Sequence, residues 1–194
     1  MKDPDGLITA NVNGIEWHLE DRGLVEVLQP FSHEGGERRL YGTYPFRAGR
    51  VFVKSFLEKG LLATIRNRVH PRGRIEYLMS RKLASLGIST PVSYGYGRGP
   101  GTSCVVHEYI DGESFIDVFR GSGERERLIA ALAELLRDLQ ERHILHNDLH
   151  LNNVLVSKGR LYLIDLHKMK VKGSFAAADE ISNLSHALAM AYWT

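Results

Sequence analysis

The sequence predicts an α+β chain in two lobes: a small antiparallel sheet carrying one helix, then a short helical lobe. Three observations predict it. Alternating apolar segments parted by turn signals fill most of residues 1–110. Two stretches, 74–86 and 124–142, repeat apolar residues at three- and four-residue steps, the period of an amphipathic helix. Behind the second of these lies a strand–loop–strand. In it the polar run His146-Asn147-Asp148-Leu149-His150-Leu151-Asn152-Asn153 leads into Val154-Leu155-Val156 and then Leu161-Tyr162-Leu163-Ile164-Asp165. The lobes are expected to be residues 1–110 and 111–194.

Composition narrows the function classes. A chain of 194 residues is long enough for one domain or two small lobes. A formal net charge of +2 is too small to argue for nucleic acid, and no nucleic-acid partner is expected. Cys104 is the only cysteine, which rules out an internal disulfide and fits a reducing compartment. The opening Met1-Lys2-Asp3-Pro4-Asp5-Gly6 lacks the apolar core of a signal peptide, and no run reaches the ~20 apolar residues of a membrane span. The expected location is the cytoplasm.

Taken in order, residues 8–20 alternate around Asn13-Gly14, a hairpin turn signal. Residues 24–31 form a short apolar piece ended by Pro30, open between helix and strand, and 32–38 read as a polar loop with Gly35-Gly36. Residues 39–56 read as a hairpin turning at Ala48-Gly49. On its return strand Phe52, Lys54 and Phe56 share one face, and Val51, Val53 and Ser55 the other. Lys54 is either a solvent-facing lysine that snorkels past the rings or a cation set in an apolar frame for a reason. The basic stretch that follows carries Lys59, Arg66, Arg68, Arg72 and Arg74, with Leu61, Leu62 and Ile65 suggesting a helical turn before Pro71 and Gly73. It is either a solvated face or a platform for an anionic partner.

The helix over 74–86 is supported by Ile75, Leu78, Met79, Leu83 and Leu86, with Gly87 as its C-cap. Glu76 lies beside that stripe, near the helix N-terminus, whose dipole it complements. A loop and strand from Ile88 to Gly97, a turn at Gly99-Pro100-Gly101 and a strand from Ser103 to Ile110 follow. Residues 113–121 read as a short helix. The helix over 124–142 presents Leu128, Ile129, Leu132, Leu135, Leu136 and Leu139. A last helix over 179–192 has Ile181, Leu184, Leu188 and Ala189 apolar.

The loop carries the chemistry. His146, Asp148 and Asn153 complete the pattern H-x-D-x-x-x-x-N, the catalytic loop of kinases, and Asp165 ends the next apolar strand. Phosphoryl transfer needs one carboxylate to orient the attacking hydroxyl, and an amide oxygen and a second carboxylate to hold Mg²⁺ against the nucleotide phosphates. The bland alternative is a hairpin whose Asp and Asn only cap turns. The full spacing, the apolar strand behind it and the second Asp together favour the chemistry.

With Lys54, Glu76, His146, Asp148, Asn153 and Asp165 in this order, the chain resembles a protein-kinase-like fold. The resemblance implies ATP and Mg²⁺ as cofactors. Lys54 would hold the α- and β-phosphates and Glu76 would hold Lys54. The carbonyl of Glu108 and the N–H of Ile110 would meet adenine. Asp148 would orient the acceptor hydroxyl, Asn153 and Asp165 would bind the metal, and His146 would order the loop. No G-x-G-x-x-G precedes Lys54, and Asp165-Leu166-His167-Lys168 stands where D-F-G would.

The basic insert, Arg74-Ile75-Glu76 and a helix running out as L-x-x-L-G-I-x-T-P are similar to the bacterial lipopolysaccharide kinase family of Kdo/WaaP type. The similarity covers roughly Arg38 to Tyr192, leaving residues 1–30 outside it. It implies phosphorylation of Kdo or heptose in the lipopolysaccharide inner core, an anionic glycolipid or sugar acceptor, and peripheral contact with anionic membrane at the inner face of the inner membrane through Arg66, Arg68 and Arg72. Only 29 residues follow Asp165, which leaves a short second lobe, minimal or truncated. Two rival readings stand beside this one. The first is a small atypical protein or metabolite kinase of the same fold. The second is a non-catalytic, pseudokinase-like nucleotide-binding or scaffold module.

Overall fold

A computed structural model gives the structure of the chain and describes residues 6–31, 39–57, 60, 65 and 67–189, the side chains of 39, 40 and 186–189 excepted. The expectations for Lys59, Leu61, Leu62, Arg66, the loop 32–38 and the end of the last helix lie outside the described residues. The chain divides into two compact units, Met1–Arg81 with Val92–Tyr109, and Lys82–Pro91 with Ile110–Thr194.

The first unit is built on a six-stranded antiparallel sheet. Its strands are β1 (Ile8–Val12), β2 (Ile15–Leu19), β3 (Arg39–Phe46), β4 (Gly49–Leu57), β5 (Ser93–Gly99) and β6 (Thr102–Glu108), in the order β1-β2-β5-β6-β4-β3. Asn13 and Gly14 both take positive φ, 53° and 75°, as the two-residue turn between β1 and β2 demands. Apolar side chains leave both faces of the inner strands. Val51, Val53, Cys104 and Val106 join Trp17, Leu19, Leu24, Leu28 and Phe31 in one cluster, and Phe56 and Val105 join Leu7, Tyr77 and Tyr96 in another. The piece left open at 24–31 is the single helical turn α1 (Leu24–Val27), which sinks Leu24 and Leu28 into the first cluster.

Helix α2 (Arg72–Ser85) starts two residues before the predicted 74 and ends one before 86. Its phase differs from the apolar periodicity. Glu76, Tyr77 and Ser80 are buried, while Leu78, predicted in the stripe, is 44% exposed. Gly73 explains the turn of the helix: a Cβ there would stand 2.0 Å from the Cys104 carbonyl oxygen, so only glycine lets α2 come this close to β6. The Gly73 N–H donates to Ser103 Oγ at 3.3 Å. One turn on, the Tyr77 hydroxyl donates to Glu20 at 2.9 Å, and Arg81 pairs with the same carboxylate.

The second unit holds α3 (Phe115–Gly121), α4 (Arg125–Glu141) and α5 (Ala177–Ala189), with the short strands β7 (Glu113–Ser114), β8 (Ile144–His146), β9 (Val154–Ser157), β10 (Arg160–Leu163) and β11 (Met169–Val171). These form an antiparallel sheet β10-β9-β7 and a pair β11-β8. The first two residues of the helix expected over 113–121 are instead β7, with Glu113 opposite Val156. Ser114 caps α3, its hydroxyl accepting from the Asp117 N–H.

On α4 Leu135 and Leu139 are buried and Ile129 is exposed. On α5 the buried residues, among those described, are Asp179 and Asn183, while Ile181 and Leu184 face out. Asn183 spans the backbone of β8, its amide donating to the Ile144 carbonyl at 2.9 Å and its oxygen accepting from the His146 N–H at 2.9 Å.

His146 itself is wholly buried, and its Nδ1 accepts from the Asp148 N–H at 3.2 Å. The ring's proton is therefore on Nε2. Burial pushes its pKa down to about 4.

Two outcomes are expected from this architecture. Gly73→Ala gains about 1 kcal/mol in helix propensity but forces a Cβ into a carbonyl, so it should lose at least about 2 kcal/mol net. A urea midpoint that is unchanged or raised would show that α2 is not seated by this contact. For His146 the unfolded chain binds the proton more tightly, since its pKa there is about 6.5. Its contribution is intact above about pH 6.5 and is lost as pH falls toward 4, by up to about 3 kcal/mol. Carboxylates with depressed pKa add to the loss only below about pH 5. Unfolding midpoints measured from pH 7 to pH 4 should fall in wild type and flatten in His146→Gln.

Candidate functional site

In the first unit the site is a buried ion pair. Lys54 lies on β4, opposite Tyr41 on one side and Val105 on the other, and is only 5% exposed, which excludes the solvent-facing reading. Its Nζ lies 3.1 Å from Glu76 Oε1 and 3.0 Å from Oε2, and 4.7 Å from the Phe56 ring centre. Glu76, 2% exposed, has a second partner in His107 on β6, whose Nε2 is 3.1 Å from Oε1. The other ring nitrogen, Nδ1, is 2.7 Å from Ser93 Oγ on β5. Such a carboxylate is tolerable because it is paired and hydrogen-bonded; removing one partner of a buried pair costs about 3–5 kcal/mol.

Sequence reasoning missed His107. Its only trace is an imidazole directly after the apolar run Cys104 to Val106, two residues beyond the partner of Lys54.

Of the two residues assigned to adenine, Glu108 ends β6 opposite Val51, and its N–H donates to the Val92 carbonyl at 2.7 Å. The next N–H, of Tyr109, donates to the Arg50 carbonyl, and the Arg50 guanidinium lies 4.0 Å over the Tyr109 ring. Ile110 is half-buried and begins the second stretch of the other unit. Among the described basic residues, Arg68 is exposed, whereas Arg72 and Arg74 are half-buried with their guanidinium groups 5.5 Å and 6.0 Å from the rings of Phe56 and Tyr96.

The second unit assembles the loop residues. Leu149 and Leu151 are buried and pin the loop, and Leu151–Asn153 form a 3₁₀ turn. Both carboxylate oxygens of Asp148 are engaged, with His150 Nε2 at 3.0 Å from Oδ1 and the Lys168 ammonium at 2.7 Å from Oδ2. Desolvation pushes the Asp148 carboxyl upward, but the hydrogen bond and charge of Lys168, with His150 alongside, hold it below the ordinary carboxylate range. It is therefore ionised at neutral pH and able to accept a hydrogen bond from an alcohol.

Asn153 donates its side-chain Nδ2–H to the Asp148 main-chain carbonyl at 2.8 Å, and its main-chain carbonyl accepts from the Ile164 N–H at 3.0 Å. The nitrogen end is thus committed to the loop, and the oxygen is the end suited to a hard cation. Asp165 is 8% exposed, adopts a left-handed backbone (φ 61°) at the head of the turn Leu166–Lys168, and has His167 Nδ1 at 2.8 Å from Oδ1. Asn147 Nδ2 donates to the Lys168 carbonyl at 2.8 Å, bracing that turn against the loop. An amide oxygen and a carboxylate form the donor set that Mg²⁺ takes from a protein, the remaining ligands coming from water and phosphate. Among the described residues no helix is long and apolar enough to cross a membrane.

Comparison with known proteins gives the family. A family model described as the lipopolysaccharide kinase (Kdo/WaaP) family matches residues 70–191. No curated protein matches the chain. Solved structures that match include monomeric WbdD, with TM-score 0.56 and 16% identity over 96% of this chain and 44% of that one. WbdD with a kinase inhibitor matches at TM-score 0.51 and 23% identity, over 74% and 34% of the two chains. The bifunctional kinase-methyltransferase WbdD matches at TM-score 0.52 and 19% identity, over 87% and 38%. The chain therefore spans less than half the length of the WbdD chains it matches, and at these identities the likeness concerns the fold, which is kinase-like. The family model covers well over half of the sequence: the chain belongs to the lipopolysaccharide kinase (Kdo/WaaP) family.

Proposed function

We propose that the chain is an ATP- and Mg²⁺-dependent phosphotransferase whose acceptor is a sugar hydroxyl, Kdo or heptose of the lipopolysaccharide inner core. The observation that carries this reading is the ionised Asp148, held in its loop by Lys168 and His150 and braced from behind by Asn153. Residues 1–110 would hold the nucleotide. Lys54 would neutralise the α- and β-phosphates, Glu76 would orient Lys54, and the Glu108 carbonyl and Ile110 N–H would meet adenine. Residues 111–194 would hold the acceptor and metal. Asn153 and Asp165 would bind Mg²⁺, which supplies charge neutralisation on the transferring phosphates.

Asp148 would align the sugar hydroxyl and accept its proton as the new O–P bond forms and the bond from the γ-phosphorus to the bridging oxygen breaks, ADP leaving with that oxygen. Little covalent chemistry falls to the protein in such a transfer, so positioning and fixed charge account for the rate. The acceptor is anionic, and Arg66, Arg68 and Arg72 are the residues proposed to meet an anionic membrane surface. Each such residue contributes about 1 kcal/mol within a Debye length of roughly 8 Å.

The central test is transfer of the γ-phosphate of ATP to a Kdo-lipid acceptor, with Mg²⁺ and with chelator. Asp148→Asn should lower kcat by about 10²–10⁴-fold, as loss of a positioned base does. Asp165→Ala should abolish Mg²⁺-dependent transfer in a chain that still folds, at a lowered unfolding midpoint, because alanine accepts the left-handed backbone less well than aspartate. Lys168→Met removes the cation that keeps Asp148 ionised, so its carboxyl pKa rises and the acidic limb of the kcat/KM profile moves to higher pH. Retained activity in Asp148→Asn, or an unmoved limb in Lys168→Met, contradicts these roles. Separately, replacing Arg66, Arg68 and Arg72 by Gln should weaken co-sedimentation with anionic vesicles at unchanged ATP affinity. Equal sedimentation would reject the platform alone.

A further inference from the structure

Glu76 serves two strands at once. Its Oε2 faces Lys54 Nζ at 3.0 Å, and its Oε1 faces both Lys54 Nζ at 3.1 Å and His107 Nε2 at 3.1 Å. A carboxylate only accepts, so Nε2 carries the imidazole proton. The Ser93 hydroxyl, 2.7 Å from Nδ1, can turn its hydrogen toward that nitrogen and fix this tautomer. Both ring nitrogens are then used. Lys54, His107 and Ser93 come from β4, β6 and β5, three neighbouring strands, and are 5%, 5% and 2% exposed. Val105 is the register partner of Lys54, and His107, two residues on, projects from the same face of β6.

If Lys54 is to meet nucleotide phosphates, as proposed above, its ammonium must be divided between them and Glu76. A buried carboxylate from which a cation is drawn away by a polyphosphate is left less well compensated, and α2 would be freer to shift. A donor from a second strand removes that difficulty. We propose that His107 is a positioning residue for nucleotide binding. It anchors Glu76 to β6 independently of Lys54, so that Glu76 and α2 keep their place while Lys54 is shared with the phosphates. Ser93 acts one step behind, by setting the tautomer in which Nε2 donates. This inference rests on the nucleotide role given to Lys54.

The test measures ATP affinity by calorimetry with Mg²⁺ present on wild type, His107→Leu, His107→Gln, His107→Asn, Ser93→Ala and Lys54→Met, with thermal unfolding as the folding control. His107→Leu should weaken ATP binding by about tenfold, the scale of one hydrogen bond to a charged group. His107→Gln, whose amide nitrogen reaches about where Nε2 stands, should restore most of it, and the shorter His107→Asn should not. Nitrogen-detected NMR should find His107 protonated at Nε2 in wild type and a tautomer mixture in Ser93→Ala.

Should His107→Leu fail to fold, the Gln and Asn pair decides: equal affinities for the two overturn the proposal. Wild-type affinity in a folded His107→Leu, with binding lost in Lys54→Met, overturns it while leaving the nucleotide site intact. Wild-type affinity in Lys54→Met, or no ATP binding by any chain, overturns the nucleotide site and this inference with it. An Nδ1-protonated ring overturns it as well.

Discussion

A carboxylate that is 98% removed from water governs the first unit. Glu76 cannot be buried unless cations or donors reach it, and they can reach it only if α2 and the inner strands hold one relative position. The register β5-β6-β4 brings His107 and Lys54 to it, with Ser93 behind the imidazole, and the absent side chain at Gly73 lets the helix descend far enough to meet them. The apolar clusters on the two faces of the sheet supply much of the stability. The ion pair and the glycine supply the placement, a distinction common to functional sites, where charges are retained in spite of their desolvation cost.

The second unit reaches the same end with amides. Asn147, Asn153 and Asn183 each spend side-chain donors on backbone carbonyls, of Lys168, Asp148 and Ile144. Short strands of two to four residues and 3₁₀ turns leave many peptide groups without a regular ladder, and a buried peptide group without a partner is costly. These asparagines satisfy some of them and in doing so fix the loop in which Asp148 lies. The left-handed backbone at Asp165 belongs to the same economy of space. It is an uncommon conformation for a residue with a Cβ, and it turns the chain within one residue from β10 into the turn that carries Lys168.

The catalytic-loop residues could be read in the sequence because their chemistry comes in one short run with a fixed spacing. The hairpin over 39–56 and the long helix before the loop were legible from period alone, although the hairpin turns at Arg47-Ala48, one residue before the expected Ala48-Gly49, with Gly49 already in β4. What period could not supply was the phase of α2 and α5, where Glu76, Ser80 and Asn183 occupy the inward side and Leu78, Ile181 and Leu184 the outward one. A pattern of hydrophobicity assigns polar residues to water, and it errs where burial of a polar group is the purpose. β7 escaped because two residues make a strand only through a partner more than 40 positions away. His107 escaped for a related reason: its meaning lies in the alignment of three strands, and no local motif records that alignment.

The seat of Cys104 has a consequence outside the chemistry of the site. The only cysteine lies in the middle of the sheet with no exposed surface, its backbone carbonyl against Gly73, and burial raises its thiol to about 12 despite the nearby hydroxyls of Ser55 and Thr102. Thiolate, the reactive form, is therefore scarce in the closed unit. Alkylation has to wait for β6 to open, so the rate at which a thiol reagent labels this protein is a clock for local unfolding of its first unit. Oxidants that reach surface thiols in a cell would pass this chain by for as long as it stays folded.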